Sequence, residues 1–176
     1  MTDGNIHYEH PFVPPVEARE PWRRLRGRLT APVTVWTSGA GEERAGLTIS
    51  SLLVADGRPP VVLGLMKETT DLYAAIRATG SFVVHVLDRT HAALSEEFAG
   101  LRPRPGGPFA GRRVEKRPHG PVLSDIPDRA YCRLVDDTEA GYQRLVRGAV
   151  EDIEVSELTS PLVLFRGRYR SLDSAD

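Results

Sequence analysis

Short runs of β-branched and aromatic residues, separated by Pro and Gly, recur along most of this chain. The clearest lie at residues 33–37, 61–65 and 82–87, and runs of this length and composition are typical of strands. Further candidates are residues 44–53, 113–116, 130–135, 145–155 and 163–169. The pattern predicts about seven strands, and such a set favours a mainly β protein built as a barrel.

Helical spacing is confined to two short stretches. Residues 69–71 (Thr-Thr-Asp) are good N-cap types, and the apolar positions that follow predict a helix over residues 72–79. A second short helix is predicted over residues 92–98, followed by a loop rich in Pro and Gly over residues 103–112. Only residues 61–87 show a strand-helix-strand unit, so a doubly wound sheet is not favoured.

The size and composition of the chain fit one domain. It has 176 residues, of which 40% are hydrophobic, enough for a single sizeable core. Residues 1–21 contain Pro11, Pro14, Pro15 and Pro21, and proline interrupts backbone hydrogen bonding. We therefore expect an extended N-terminal arm over residues 1–21 and one domain over residues 22–176.

The charge balance argues against a polyanionic partner. The formal net charge is -1, from 23 basic and 24 acidic residues, so no global field attracts nucleic acid or an anionic membrane. A local cluster of four arginines lies beside Trp22, at Arg23, Arg24, Arg26 and Arg28. It is read either as a solvated helix or turn face or as a patch for an acidic partner.

The sequence predicts a cytoplasmic protein. Its single cysteine, Cys132, excludes an intrachain disulfide and lies in an apolar stretch, as expected of a core residue. The first ten residues lack the features of a secretory signal. The longest apolar run, near residues 61–66, is far below the roughly 20 residues that cross a bilayer.

Several common catalytic motifs are missing. Residues 39–44 (Gly-Ala-Gly-Glu-Glu-Arg) fail as a dinucleotide loop, because Arg44 occupies the third glycine position and a strand follows. There is no phosphate loop, nucleophile elbow or zinc-protease helix. Of five histidines only His7 and His10 lie close in sequence, so no metal site is predicted, and His85 is expected to be a hydrogen-bonded structural histidine inside a strand.

Two polar segments are candidates for a ligand site. The first, residues 46–52, places Thr48, Ser50 and Ser51 at a strand end, where small residues let a planar heteroaromatic ring approach the backbone. The second, residues 66–70, precedes a helix, and Lys67, Thr69 and Thr70 there suit a phosphate. A plain polar strand and simple helix capping remain alternatives at this point.

An ordered set of segments resembles the flavin reductase-like family. The segments are Pro-Val-Thr-Val-Trp-Thr at residues 32–37, Gly-Leu-Thr-Ile-Ser-Ser-Leu at 46–52, Ala-Ala-Ile-Arg-Ala-Thr-Gly-Ser-Phe-Val-Val at 74–84, Phe-Ala-Gly at 98–100, and Pro-Leu-Val-Leu-Phe-Arg-Gly-Arg-Tyr at 161–169. The resemblance covers about residues 22–172. None of these motifs is specific to the family by itself, but the set of motifs in this order is.

That resemblance implies an FMN-binding split β-barrel, a Greek-key barrel with a few short helices that forms a homodimer with the flavin near the subunit interface. FMN, or its larger relative FAD, is the implied cofactor and NAD(P)H the implied electron donor, often on behalf of a partner monooxygenase. Hydride transfer between two such rings needs no side-chain nucleophile, so no catalytic residue is assigned. The implied flavin contacts are Trp36, Thr48, Ile49, Ser50 and Ser51 at the ring, Lys67, Thr69 and Thr70 at the ribityl phosphate, and Tyr169 more weakly.

One position departs from the family pattern. Reductases of the family often carry a histidine before the strand that ends in Gly-Glu-Val, whereas Gln143 precedes residues 148–150 (Gly-Ala-Val) here. Because that histidine is thought to help place the nicotinamide, the alternative function is an FMN-binding electron-transfer flavoprotein without efficient nicotinamide oxidation.

Overall fold

The computed structural model describes residues 21–172. The helices are α1 (Pro21–Arg26), α2 (Asp71–Thr79) and α3 (Ala92–Phe98). The strands are β1 (Ala31–Pro32), β2 (Thr34–Ser38), β3 (Ala45–Ile49), β4 (Leu53–Ala55), β5 (Val61–Met66), β6 (Ser81–Val86), β7 (Val114–Arg117), β8 (Gly120–Leu123), β9 (Arg129–Ala140), β10 (Gln143–Glu154), β11 (Leu162–Phe165) and β12 (Arg168–Ser171). The protein is mainly β, as the pattern predicts.

Seven strands form one antiparallel sheet in the order β3-β2-β6-β9-β10-β5-β4. The strands at its two ends, β3 and β4, are consecutive along the chain, and only residues 50–52 separate them. Three extended residues reach about 10 Å, so the two edges of the sheet lie close together and the sheet curls into a barrel. The predicted barrel class is confirmed.

A stacked aromatic pair fills the barrel interior. The rings of Trp36 on β2 and Phe82 on β6 lie 4.7 Å apart at an angle of 8°, and neither has exposed surface. Two glycines on the facing strands make room for them: a Cβ on Gly64 of β5 would lie 2.5 Å from the Trp36 ring, and one on Gly148 of β10 would overlap Phe82. The absence of side chains at these two positions therefore sets the packing of the interior.

A second hydrophobic cluster covers the outside of β2. Val33 and Val35 pack there with Leu94 and Phe98 of α3 and with Leu162 of β11. α3 and the small sheet β1-β11-β12 thus form a layer against the barrel wall. This layer explains why every residue of β2 is buried, on both faces of the strand.

His85 ties the β7–β8 hairpin to the barrel. Its Nδ1 lies 3.0 Å from the Val35 carbonyl oxygen, and its Nε2 accepts a hydrogen bond from the Leu123 amide at 3.1 Å. A carbonyl only accepts and an amide only donates, so Nδ1 carries the proton and the ring is neutral. Burial lowers the pKa of His85 to about 4. The prediction of a structural histidine is confirmed.

Some strands differ from the sequence prediction. The strand predicted over residues 44–53 is two strands, β3 and β4. The strand predicted over residues 163–169 is the β11–β12 hairpin, because Arg166 adopts a left-handed conformation (φ 52°) at the turn. The pattern does not predict β1, which has only two residues, or β8, which begins with a Gly-Pro pair that ordinarily marks a loop.

The predicted N-terminal arm lies outside the described residues, except Pro21, which begins α1 instead of ending an arm. The arginines of α1 are exposed, as expected of a solvated face. Cys132 is completely buried, and burial raises the pKa of its thiol to about 12. Over residues 21–172, no helix is long and apolar enough to cross a membrane.

Candidate functional site

The two predicted polar segments meet in the structure. The Ser51 hydroxyl donates a hydrogen bond to the Leu65 carbonyl oxygen at 3.1 Å and accepts one from the Leu65 amide at 3.0 Å. Ser51 lies on the link between β3 and β4, and Leu65 lies near the end of β5, two residues before Lys67. The hydroxyl-rich strand end and the loop before α2 therefore form one continuous surface where the barrel closes.

Thr48 and Tyr169 are brought together by Ser95 of α3. The Thr48 hydroxyl donates to the Ser95 carbonyl oxygen at 2.6 Å, the Ser95 hydroxyl donates to the Ala92 carbonyl oxygen at 2.9 Å, and Tyr169 lies beside Ser95. Burial raises the pKa of Tyr169, although the Ser95 hydrogen bond opposes the shift. The proton of Thr48 is thus already used, and its oxygen can only accept a bond from a ligand. Sequence reasoning missed Ser95, which carries no motif.

The residues next to Thr48 have different roles. Ile49 is buried in the barrel core, with 3% of its surface exposed. Ser50 is partly exposed, and within residues 21–172 its hydroxyl has no hydrogen-bond partner, so it is free to bind a ligand. Gly46 offers no room for a planar ring, because a Cβ there would lie 2.6 Å from Phe98. Gly46 and Ile49 are therefore not open to a ligand, so fewer residues of this segment can contact one than the sequence suggests.

The structure corrects the prediction for Trp36. Its ring has no exposed surface, stacks on Phe82, and donates from Nε1 to the Thr34 hydroxyl at 3.1 Å. A ring enclosed on both faces cannot stack on a flavin in this conformation. Trp36 is a core residue that supports the wall behind the site.

Lys67, Thr69 and Thr70 lie together in the loop before α2. Thr70 is the N-cap: its hydroxyl accepts from the Tyr73 amide at 3.3 Å and donates to the Lys67 carbonyl oxygen at 2.8 Å. The Lys67 and Thr69 side chains are exposed. Helix capping thus accounts for Thr70, whereas the Lys67 ammonium and the Thr69 hydroxyl remain available beside the first turn of α2.

A depression of about 310 Å³ adjoins this loop. It is lined by Glu68, Glu139, Gly141, Tyr142, Gln143 and Arg144. Glu68 belongs to both the loop and the depression, and the other residues come from the β9–β10 hairpin. Gln143 therefore lies next to the predicted phosphate loop.

Arg144 is held in place by a nearly buried carboxylate. Asp137, whose side chain is 3% exposed, accepts hydrogen bonds from Arg144 Nε at 2.7 Å, Tyr73 Oη at 2.9 Å and Arg77 Nη1 at 3.0 Å. Burial raises the pKa of Asp137, but the bonds from Arg144 and Tyr73 and the two guanidinium charges outweigh it, so the pKa lies below its usual value. The network joins α2 to the β9–β10 hairpin and fixes the wall of the depression.

The barrel, closed through residues 50–52 with polar loops around the closure, defines a split β-barrel protein. A family model described as "Flavin reductase like domain" matches residues 26–173. The chain belongs to the flavin reductase-like family, as the ordered segments predict.

Relatives and solved structures agree with this assignment. The chain is 31% identical over 159 residues to "FMN reductase (NADH) RutF" of Variovorax paradoxus, covering 90% of this chain and 88% of the relative. It is 32% identical over 154 residues to the reductase component of 4-hydroxyphenylacetate 3-monooxygenase of Thermus thermophilus, covering 88% and 97%. The solved structure of the flavin reductase PheA2 superposes with a TM-score of 0.78 at 27% identity, covering 87% of this chain and 97% of that one.

Proposed function

We propose that this protein is an NAD(P)H-dependent flavin reductase that binds FMN where residues 48–51 meet residues 67–70. The observation that carries the proposal is the pair of hydrogen bonds between Ser51 and Leu65, which makes the two polar segments neighbours. The names of the relatives support flavin reduction with NADH.

The exposed polar groups at this junction fit the cofactor. The Ser50 hydroxyl and the Thr48 oxygen suit the carbonyl and ring-nitrogen edge of the flavin, which contains both donors and acceptors. The Lys67 ammonium, the Thr69 hydroxyl and the first amides of α2 suit its phosphate. Tyr169 lies beside Ser95, whose carbonyl oxygen holds Thr48, so we assign Tyr169 a positioning role.

A flavin held here would supply the redox chemistry, as the acceptor of a hydride from reduced nicotinamide. The chain itself orients the ring edge through residues 48–51 and holds the phosphate through Lys67 and Thr69. The barrel wall behind the site is rigid because the Trp36–Phe82 pair fills its interior. In a binding site that is already ordered before the ligand arrives, binding energy contributes to the alignment of the reacting rings.

Absorbance spectroscopy tests the function. Purified protein mixed with FMN should show a perturbed flavin spectrum, which bleaches when NADH or NADPH is added without oxygen. Bound flavin that stays oxidised with both nucleotides would favour the electron-transfer alternative, for which Gln143 in the depression is the supporting observation. Protein that does not bind flavin would contradict both functions.

Substitution of Lys67 tests the phosphate site. Lys67→Ala should weaken FMN binding by about tenfold or more, because a hydrogen bond to a charged group contributes about 1.5–3 kcal/mol. Ser50→Ala should weaken it by a smaller factor, without loss of stability, since that hydroxyl has no partner in the described structure. Lys116→Ala, at an exposed position on β7, is the matched control. Equal affinities for the two lysine variants, measured by fluorescence titration, would refute the assignment.

We also propose that two chains pair through β4. β4 is at the end of the barrel sheet, and its side chains are exposed, including Leu53 at 69% and Val54 at 62%. An exposed apolar edge strand is a template for pairing with another chain. Light scattering should give the mass of two chains, and Val54→Glu should give the mass of one. A wild-type monomer would refute this.

Reduced flavin is the product that the protein passes on, and we propose a separate monooxygenase as its consumer. The support is the name of the Thermus thermophilus relative, which is the reductase component of such a system.

We also propose that the protein is cytoplasmic, where its only cysteine, buried and unpaired, stays reduced.

A further inference from the structure

Two arginine-rich segments lie side by side on the surface of the protein. Residues 21–30 include α1, and residues 161–172 include the β11–β12 hairpin. The Arg166 amide at the hairpin turn donates a hydrogen bond to the Gly27 carbonyl oxygen at 3.0 Å, and β1 pairs with β11 just beyond this contact. The end of α1 and the turn of the hairpin therefore form one surface, the α1–hairpin surface.

The α1–hairpin surface carries a strong local positive charge. The two segments contain neither Asp nor Glu, although the whole chain has a net charge of -1. At physiological salt, electrostatic attraction is screened beyond about 8 Å, so a docked partner meets this local charge and not the net charge of the chain. The exposed arginines of the surface are Arg23, Arg24, Arg26, Arg28, Arg166, Arg168 and Arg170.

Apolar side chains of α1 are exposed between these arginines. Trp22, Leu25 and Leu29 are 53%, 64% and 62% exposed, and their spacing places them on one face. The helical turns continue as far as Leu29, whose amide donates to the Arg26 carbonyl oxygen at 3.2 Å. α1 has six residues and none of them is buried, whereas so short a helix ordinarily depends on packing of its apolar face. A partner that covered this face would supply such packing.

The hairpin turn places an arginine where its backbone is unfavourable. Arg166 and Gly167 link β11 to β12 and both have positive φ, of 52° and 75°, as in a type I′ turn. Asn is preferred at the first position of such a turn, because a long side chain tolerates the left-handed conformation less well. An unfavourable conformation of this kind is explained when the side chain has a function, and the exposed charge of Arg166 is the group that offers one.

The composition of the α1–hairpin surface fits a protein better than other acidic partners. Arginine forms paired hydrogen bonds with carboxylates, and Trp and Arg contribute most to binding at protein interfaces. A nucleic acid would leave Leu25 and Leu29 exposed. Three apolar side chains on one short helix bury too little surface to hold this protein on a membrane.

We propose that the α1–hairpin surface is a docking site for a partner protein that presents an acidic, partly apolar patch. β12 also carries Tyr169, which lies beside Ser95, so a partner docked there adjoins the candidate flavin site. The inference goes beyond the proposed function, and neither depends on the other.

Tryptophan fluorescence measures the docking. The chain has two tryptophans, of which Trp22 is exposed and Trp36 is completely buried, so a blue shift of the emission reports burial of α1. The probe is a synthetic peptide of Glu, Ser and Leu, added to the full chain without flavin. The peptide should shift the emission, and its affinity should fall as salt is raised. A control peptide with Gln in place of every Glu should bind about tenfold more weakly, because several ion pairs are lost together.

Three results would overturn the inference. The first is a Glu peptide that does not bind, and the second is equal affinity for the Glu and Gln peptides. The third is tighter binding to vesicles of phosphatidylcholine and phosphatidylglycerol, or to an oligothymidylate, than to the Glu peptide, because the surface would then serve a membrane or a nucleic acid. Because no flavin is present, failure of the protein to reduce flavin would refute the proposed function and leave this test intact.

Arg166→Asn separates the charge of the hairpin turn from its folding. Because Asn is preferred at this position, the variant should keep or raise the free energy of unfolding. It should nevertheless bind the Glu peptide about threefold more weakly, as loss of one exposed ion pair predicts. Arg58→Asn, at an exposed position between β4 and β5, is the matched control and should leave the affinity unchanged. Equal affinities for the two variants would overturn the role of Arg166.

A double variant, Arg24→Gln with Arg26→Gln, tests α1. It should bind the Glu peptide about fivefold more weakly, because two exposed charges are removed. It should keep the wild-type kcat and KM for flavin reduction, since neither side chain belongs to the candidate site. Unchanged affinity for the peptide would overturn the docking site, and so would an equal loss of affinity and activity, which would show that the substitutions disturb the fold.

Discussion

Gly148→Ala is expected to lower the free energy of unfolding by about 3 kcal/mol, near the top of the usual range for overpacking. A Cβ at this position would lie 2.6 Å from Phe82 Cε1 and 3.2 Å from the Cβ of Cys132. The Phe82 ring has little room to move, because Trp36 is stacked on one of its faces at 4.7 Å and the ring has no exposed surface. Urea unfolding followed by tryptophan fluorescence measures the change.

Two further variants separate overpacking from a general effect of the substitution. Gly27→Ala is the matched control, since a Cβ there meets its nearest neighbour at an ordinary 3.4 Å. It should alter stability by no more than about 0.5 kcal/mol. In a double-mutant cycle, Phe82→Leu should relieve part of the cost of Gly148→Ala. Strictly additive losses would contradict the contact between the two positions.

The secondary structure was predictable where the signal is local. α2 is the clearest case: Thr70 caps its first turn and Gly80, at φ 71°, ends it, both within a few residues of the helix they delimit. β8 has no comparable signal, because its position depends on His85 and on Thr37, which donates to the Pro121 carbonyl oxygen at 2.5 Å. Those partners are distant in sequence, so no periodic pattern within the strand predicts its position.

The candidate site, too, could be predicted from the sequence only in part. Hydroxyl and lysine residues at strand ends can be noticed in the sequence, but their meeting depends on barrel closure through the Ser51–Leu65 bonds. The placement of Trp36 at the flavin was wrong because both faces of β2 are covered, one by the barrel interior and the other by α3 and the small sheet. A strand buried on both faces gives no alternation from which to choose. Ser95 was invisible for a related reason, since it matters only through tertiary contacts.

Stability is expected to fall by about 2 kcal/mol between pH 7 and pH 5 because of His85. The unfolded residue has its ordinary pKa of about 6.5, whereas in the folded protein burial lowers the pKa to about 4. Between these values the unfolded chain binds a proton that the folded chain does not, so stability is complete above pH 6.5 and declines as the pH falls toward 4. The hydrogen bond to the Val35 carbonyl opposes this lowering of the pKa, but burial outweighs it, and the Arg129 charge acts in the same direction as burial.

Urea unfolding at a series of pH values measures how the free energy of unfolding depends on pH. His85→Gln should abolish this dependence, because Gln retains a donor and an acceptor but does not titrate. The same variant should lower stability at pH 7. A wild-type slope that persists in His85→Gln would show that another group titrates in this range.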